Sequence, residues 1–324
     1  MWWEENEPVL RDELNRLLDL YKQHLAAAAD PLVVRGVGAG PAFVGAPGEP
    51  LTASQLWQPL ILIDDRSAGS QPGLPGRFYY QQLDPASPAA RFLANWQVRS
   101  DTLLEPVGPV VPAVWPGDSY TSCGTATVGL PVNVSVPPAN VPNARGFLTV
   151  AHGVGPVGST VTITTNAGPA SGIVQYRDES ARQPGGGDDI ALVVLGPPYQ
   201  LGGRWVVNRG AQPTPNGPPY SAMAVDLYGG RSRKVIAQVN GAILQMGDRT
   251  WQWLDCWELG VTQPLMQRGD SGALAIDPTS NPYIFGHFVG GNVALRGTGF
   301  THHWVQDLGQ VLTRQPNLDS MIAF

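Results

Sequence analysis

Three short segments hold the residue types that acyl transfer requires: Leu148-Thr149-Val150-Ala151-His152, Asp188-Asp189-Ile190-Ala191-Leu192 and Gly269-Asp270-Ser271-Gly272. A serine hydroxyl is a poor nucleophile at neutral pH. An imidazole has to take its proton, and a buried carboxylate has to fix the tautomer of that imidazole and stabilise the cation that forms. Ser271, His152 and one of the pair Asp188 and Asp189 supply these groups, in the order histidine, aspartate, serine. The glycines add a separate capacity. Without Cβ the backbone can turn sharply and aim the N–H groups of Gly269 and Ser271 at one developing oxyanion. Such chemistry needs no metal and no organic cofactor.

The elements that position these residues are expected to be short strands. Gly 39 and Pro 31 make 70 of the 324 residues, about 22 per cent, against a usual share of about 12 per cent. Many tight turns follow from that, and Val- and Thr-rich runs between turns favour β-structure. Strand-like runs span 124–130, 146–150, 159–165, 190–195, 221–227, 235–239, 251–259, 273–276 and 283–289, a spacing that suits antiparallel barrels or a sandwich. Thr301 is placed to cap a last helix with Trp304, Leu308, Val311 and Leu312 on its apolar face and Pro316 beyond its end. Before these strands, Leu10, Leu14, Leu17, Tyr21 and Leu25 recur every three or four residues and predict one amphipathic helix over 8–28. Leu32-Val33-Val34 and Leu60–Ile63 read as strands of a small α+β unit, residues 1–104. The glycines of 36–40 lack a following Gly-Lys-Ser/Thr and read as a turn. Four prolines at 106, 109, 112 and 116 predict a stiff, extended connector over 105–118, with a second domain at 119–324.

Composition excludes several classes. A formal charge of -6 with only 20 basic residues and no dense cluster of them leaves no footprint for a nucleic acid. No run of 18 apolar residues occurs, and Met1-Trp2-Trp3-Glu4-Glu5 is no signal-peptide start, so a cytoplasmic chain without a membrane span is the expectation. Cys123 and Cys256 cannot complete a four-ligand zinc site and are expected as thiols. His302 and His303, adjacent and without partners at ligand spacing, read as surface or core residues and not as metal ligands.

The three motifs resemble those of the chymotrypsin-like (trypsin-like) serine peptidases of bacterial type, in which Thr-Ala-Ala-His, Asp-Ile-Ala-Leu and Gly-Asp-Ser-Gly occur in this order. Here the first appears as Thr149-Val150-Ala151-His152, and the other two are matched in full. The likeness covers about residues 119–315. It implies a mainly β, two-barrel antiparallel domain with a C-terminal helix, preceded here by the small α+β unit. The triad His152, Asp189 and Ser271 would lie in the cleft between the barrels, with the oxyanion held by the N–H groups of Gly269 and Ser271. It implies Asp189 over Asp188, which is then expected to be solvated. Residues Ile284–Gly291 resemble the strand that pairs with substrate backbone and walls the specificity pocket, bringing in His287, Val289, Gly290 and Gly291. Leu265, near Met266 and Arg268, resembles the pocket floor and implies an apolar pocket, while His287 and Arg296 fit an acidic or amide side chain equally well.

The pattern departs from the family in three respects. No cysteine stands close after His152 or immediately before Gly269, so the usual bracing disulfides are missing, as a reducing compartment would explain. Where a serine usually faces the buried aspartate, Phe288 or Val289 stands, leaving Asp189 to backbone donors. No Ile-Val-Gly-Gly start is visible near residue 119, so Asp270 needs a partner other than a new N-terminus. The expected activity is serine endopeptidase on a peptide or protein substrate. The alternative is a pseudoprotease or peptide-binding module using the same cleft. Residues 1–104 resemble no family and are expected to engage an intramolecular or protein partner.

Overall fold

The computed structural model describes residues 8–27, 32–41, 57–69, 76–108, 110–112, 126–135, 144–165, 168–196, 206–207, 224–229, 233–261, 266–267, 269–277, 283–293 and 300–324. Helix α1 (Pro8–Ala27) starts on a proline whose missing N–H costs nothing at the first helical position. Its buried stripe is Leu10, Leu14, Leu17 and Tyr21. Leu10 and Leu14 pack with Val235, Trp257 and Phe288 of the later chain, whereas Leu17 and Tyr21 pack with Val34, Ile61 and Phe78. One face thus joins the first hundred residues to the rest, each buried leucine contributing about 1.5–3 kcal/mol. No helix among the described residues is long and apolar enough to cross a membrane.

Strand β1 (Val34–Pro41) contains the glycine run and is buried throughout, which corrects the expected turn. It lies antiparallel between β2 (Trp57–Asp64) and a later strand at residues 233–247. A Cβ on Gly38 would stand 2.3 Å from the carbonyl oxygen of Ala242. The glycines therefore serve close strand approach at a bulge and not chain reversal. After β3 (Phe78–Tyr79), helix α2 (Pro88–Ala94) is capped by Ser87, whose Oγ accepts from the N–H of Ala90 at 3.1 Å. Strand β4 (Leu103–Val107) then runs parallel to β2, and β5 (Val110–Pro112) follows. The proposed boundary at 104 falls inside β4, and the start of the 105–118 connector is strand. Pro106 is tolerated because β3 reaches only Leu103 and Leu104, so that side of β4 is an edge beyond them.

Strands β6 (Leu130–Val134), β7 (Arg145–Thr149), β8 (Thr160–Thr165), β9 (Gly168–Asp178) and β10 (Ile190–Leu195) build an open sheet in the order β6-β7-β10-β9-β8. The expected strand at 124–130 begins only at Leu130, and β9, which runs unbroken through Gly172, is an addition to the expected strands. The later strands are β11 (Val206–Val207), β12 (Ala224–Gly229), β13 (Arg233–Gly247), β14 (Gln252–Val261), β15 (Leu274–Asp277), β16 (Tyr283–Val293) and β17 (Phe300–Asp307). Their pairing runs β12-β15-β16-β17-β14-β13, and β13 pairs with β12 again, so hydrogen bonding returns to its start around six strands. Through the pairing of β13 with β1, strands β1 to β4 extend this unit into one larger sheet.

The expected helix from Thr301 begins later. Residues 300–307 are β17, and helix α3 (Leu308–Arg314) is capped by Asp307, whose carboxylate accepts from the N–H of Gln310 at 3.0 Å. Trp304 and Val305 are both buried because β17 sits between β14 and β16 with both faces covered, which no helical periodicity can distinguish. Pro316 opens the next helix, α4 (Pro316–Met321), and β18 (Ile322–Ala323) returns to pair with β6. Leu308, Val311, Leu312 and Leu318 seal the two β-units together, packing Leu148, Ile190 and Leu192 on one side against Leu274 and Ile284 on the other. The mainly β class with a C-terminal helix is as expected.

Candidate active site

His152 sits in the 3-10 turn Ala151–Gly153 immediately after β7. Asp189 stands directly before β10, whose Ala191 pairs with Thr149 of β7, so sheet register alone brings turn and aspartate together. Asp189 Oδ1 accepts from the backbone N–H of His152 at 3.0 Å, and Oδ2 lies 2.5 Å from His152 Nδ1. On the other side of the ring, Nε2 is 2.9 Å from Ser271 Oγ. Sequence reasoning therefore named three side chains that the fold joins into one continuous chain of contacts. All three are buried, which strengthens each interaction by excluding water. Burial alone would raise the Asp189 carboxyl, but the charge and N–H groups of His152 outweigh it and hold it below the usual range.

The nucleophile loop is shaped by glycine and threonine. Gly269 and Gly272 adopt φ of +95° and +88°, and a Cβ at Gly272 would meet Thr149 Oγ1 at 2.5 Å. Thr127 clamps the loop at two points, donating its N–H to Ser271 O at 2.7 Å and its hydroxyl to Gly269 O at 3.2 Å. Thr149 Oγ1 in turn donates to Thr127 O at 3.0 Å, which gives the threonine of the histidine motif a structural task. Asp270 accepts from the N–H of Gln267 at 2.8 Å, so this carboxylate has a partner within the loop. The N–H groups of Asp270, Gly272 and Ala273 donate to backbone carbonyls. Those of Gly269 and Ser271 donate to no carbonyl among the described residues, as an oxyanion site requires.

Three positioning residues were missed. The indole Nε1 of Trp253 donates to Asp189 Oδ2 at 3.2 Å, taking the place where backbone donors alone were expected. Its signal was the Trp251-Gln252-Trp253 alternation in a strand: Trp251 stacks on Trp253 at 5.5 Å and meets the His152 ring edge-on at 5.5 Å. Gln306 accepts from the N–H of Asp189 at 3.1 Å and donates to the carbonyls of Gly187 and Leu254, both at 3.0 Å. Thr127 is the third, and no motif marks it. Asp188 is not solvated as expected. It is buried, paired with Arg314 at 2.7 Å and bonded to Gln315 at 2.8 Å.

Of the tentative pocket residues, Leu265 and Arg268 lie outside the described residues, as do Arg296 and Cys123. Val289 is buried beside Val150, Trp251 and Trp253, behind the triad. His287 is buried with neither ring nitrogen bonded among the described residues, and burial pulls its pKa down to about 4, so the ring is neutral. Gly290 and Gly291 lie on β16 opposite β5. Cys256 is a buried free thiol whose pKa burial pushes up. Glu105, Glu258 and His302 bring one ligand atom each within 4.8 Å. The buried guanidinium of Arg77, however, stands at 2.8 Å from both Glu105 and Glu258 and supplies the positive charge there.

No sequence-family profile and no curated protein matches the chain. Among solved structures it is similar to a Nocardiopsis protease at 19% identity, covering 58% of this chain and 89% of that one with a TM-score of 0.42. It is similar also to Thermobifida fusca protease A (16%, covering 65% and 95%, TM-score 0.41) and to a Cellulomonas bogoriensis chymotrypsin (18%, covering 59% and 88%, TM-score 0.40). These neighbours belong to the bacterial chymotrypsin-like serine proteases, the family whose motifs the chain resembles.

Proposed function

We propose that the chain is a serine endopeptidase. Ser271 Oγ attacks the scissile carbonyl while His152 Nε2 takes its proton; the same imidazolium then protonates the leaving amine, and water repeats the cycle on the acyl-enzyme. Asp189, ionised, fixes the Nδ1–H tautomer and stabilises the imidazolium, with Trp253 and Gln306 holding it in place. The N–H groups of Gly269 and Ser271 receive the oxyanion. The observation that carries this reading is the unbroken run from Asp189 Oδ2 to His152 Nδ1 at 2.5 Å and from His152 Nε2 to Ser271 Oγ at 2.9 Å. Labelling with a fluorophosphonate probe tests it without knowledge of substrate. Wild type is expected to label and Ser271→Ala is not; absence of labelling in both retires the peptidase in favour of a peptide-binding module.

A further inference from the structure

Strand β16 has two edges. One is covered by β17, which pairs with Phe288, Gly290 and Gly291. The other carries β15 as far as His287 and then grips the nucleophile loop: Phe288 O accepts from Gly272 N, and Phe288 N donates to Ala273 O, each at 2.8 Å. Beyond that point the same edge belongs to β5, with Pro112 opposite Gly290, Val111 opposite Gly291 and Val110 opposite Asn292. The pairing is antiparallel, so β5 advances toward the Ser271 loop with its C-terminal end leading.

An extended peptide added to a sheet edge takes its affinity from backbone pairing. An endopeptidase substrate has to lie extended beside its nucleophile, and here the edge it needs is already taken. We infer that β5 is an intramolecular occupant of the substrate edge of β16, and that a peptide binds there by displacing it. The name substrate edge rests on the peptidase reading; the competition does not. The tether makes the occupant effective. The upstream strand β4 is fixed by β2 and by the Arg77–Glu105 pair, so β5 is presented from an anchored point only a few residues away. A short tether of this kind sets an effective concentration on the order of millimolar. Weakly binding peptides are thereby excluded, while a tightly binding one enters.

The test uses the full chain carrying Ser271→Ala, so that nothing is hydrolysed. The probe is a fluorescein-labelled peptide with the chain's own residues 108–115, read by anisotropy. Val111→Pro removes a backbone N–H and sets a ring against the pairing. It is expected to tighten peptide binding about tenfold, equivalent to about 1.4 kcal/mol. Equal affinity with and without Val111→Pro overturns the inference. Because that variant can disturb folding, Val110→Gly with Val111→Gly, which weakens the strand through propensity alone, has to move affinity the same way. Fluorophosphonate labelling of the same variants with Ser271 restored separates the two readings. Tighter peptide binding without labelling keeps the occupant and retires the peptidase; labelling with unchanged affinity does the reverse.

Discussion

In the His152–Asp189 pair and in the cluster of Arg77, Glu105, Glu258 and His302, a histidine Nδ1 meets a buried carboxylate, at 2.5 Å from Asp189 in the first and 3.2 Å from Glu258 in the second. What differs is the rest of each environment. His152 keeps Nε2 turned toward Ser271 Oγ, and the N–H groups of Gly269 and Ser271 donate to no carbonyl among the described residues, which is the arrangement the proposed acyl transfer needs. In the second cluster Arg77 already bonds both carboxylates and the carbonyl of Asn240 at 2.7 Å, and the His302 ring stacks on Trp304. Its charges are closed upon one another. It joins Arg77 and Glu105 of the N-terminal part of the chain to Glu258 and His302 of β14 and β17, and so works as a weld. A carboxylate–imidazole contact becomes chemistry only where a nucleophile and a charge acceptor lie within reach.

The largest effects are expected at the triad. Ser271→Ala or His152→Ala is expected to lower kcat by about 10⁶-fold on a responsive peptide, and Asp189→Asn by about 10⁴-fold through the wrong imidazole tautomer. Steady-state kinetics reads this, and retention of more than a hundredth of the activity in Ser271→Ala would point to another nucleophile. At the weld the expected outcome is inverted. Arg77→Met leaves two buried carboxylates facing each other and should cost about 3–5 kcal/mol in urea unfolding. The folded fraction should still label at Ser271 at the wild-type rate. A variant that keeps its stability would show that the cluster relaxes or protonates without cost.

The two clusters were also unequally legible in the sequence. His152, Asp189 and Ser271 announce themselves because their chemistry needs local context: a glycine-rich turn around the nucleophile, and an aspartate at the mouth of an apolar strand. The weld gives no such signal, since Arg77, Glu105, Glu258 and His302 are far apart in the chain and each looks like an ordinary surface charge. The same holds for Gln306, while the tryptophan alternation at 251–253 marks Trp253 as a packed residue but not as a partner of Asp189, which it reaches because Gly187 bridges to β14. The strand runs were readable wherever one face alternates. β17 carries a helix-like pattern because both its faces are covered, and β1 carries a turn-like one because its glycines answer a neighbouring backbone that sequence does not display.

A smaller effect sharpens the boundary between the two clusters. Trp253→Phe keeps most of the ring stacked on Trp251 and removes one donor to Asp189. A hydrogen bond to a charged group is worth about 1.5–3 kcal/mol when well aligned, and at 3.2 Å the lower end applies, giving about a tenfold fall in kcat. KM should hold, because no substrate contact changes. A rise in KM with constant kcat would assign Trp253 to the pocket and not to the aspartate.

The smallest effect is the pH dependence, and within the weld the groups oppose one another in sign. Burial raises the Asp189 carboxyl and His152 more than reverses this, so its folded pKa is depressed; Glu258, although buried, is held down to about 2 by Arg77 and His302. Both contribute stability that is present above the unfolded carboxylate pKa and lost as pH falls through the depressed value. Glu105 runs the other way, its carboxyl pushed up chiefly by burial despite Arg77, so it takes up a proton first on acidification and softens the weld's loss. His302 is lowered by burial but raised further by Glu258 and Glu105, leaving a net rise against the charge of Arg77. Its contribution is full below the unfolded imidazole pKa of about 6.5 and lost as pH rises through the folded value. His302→Gln should therefore cost most at pH 5, and the gap to wild type in urea midpoint should narrow by pH 9. A gap constant across that range would mean that His302 holds the weld as a neutral ring, with Arg77 alone balancing the two carboxylates.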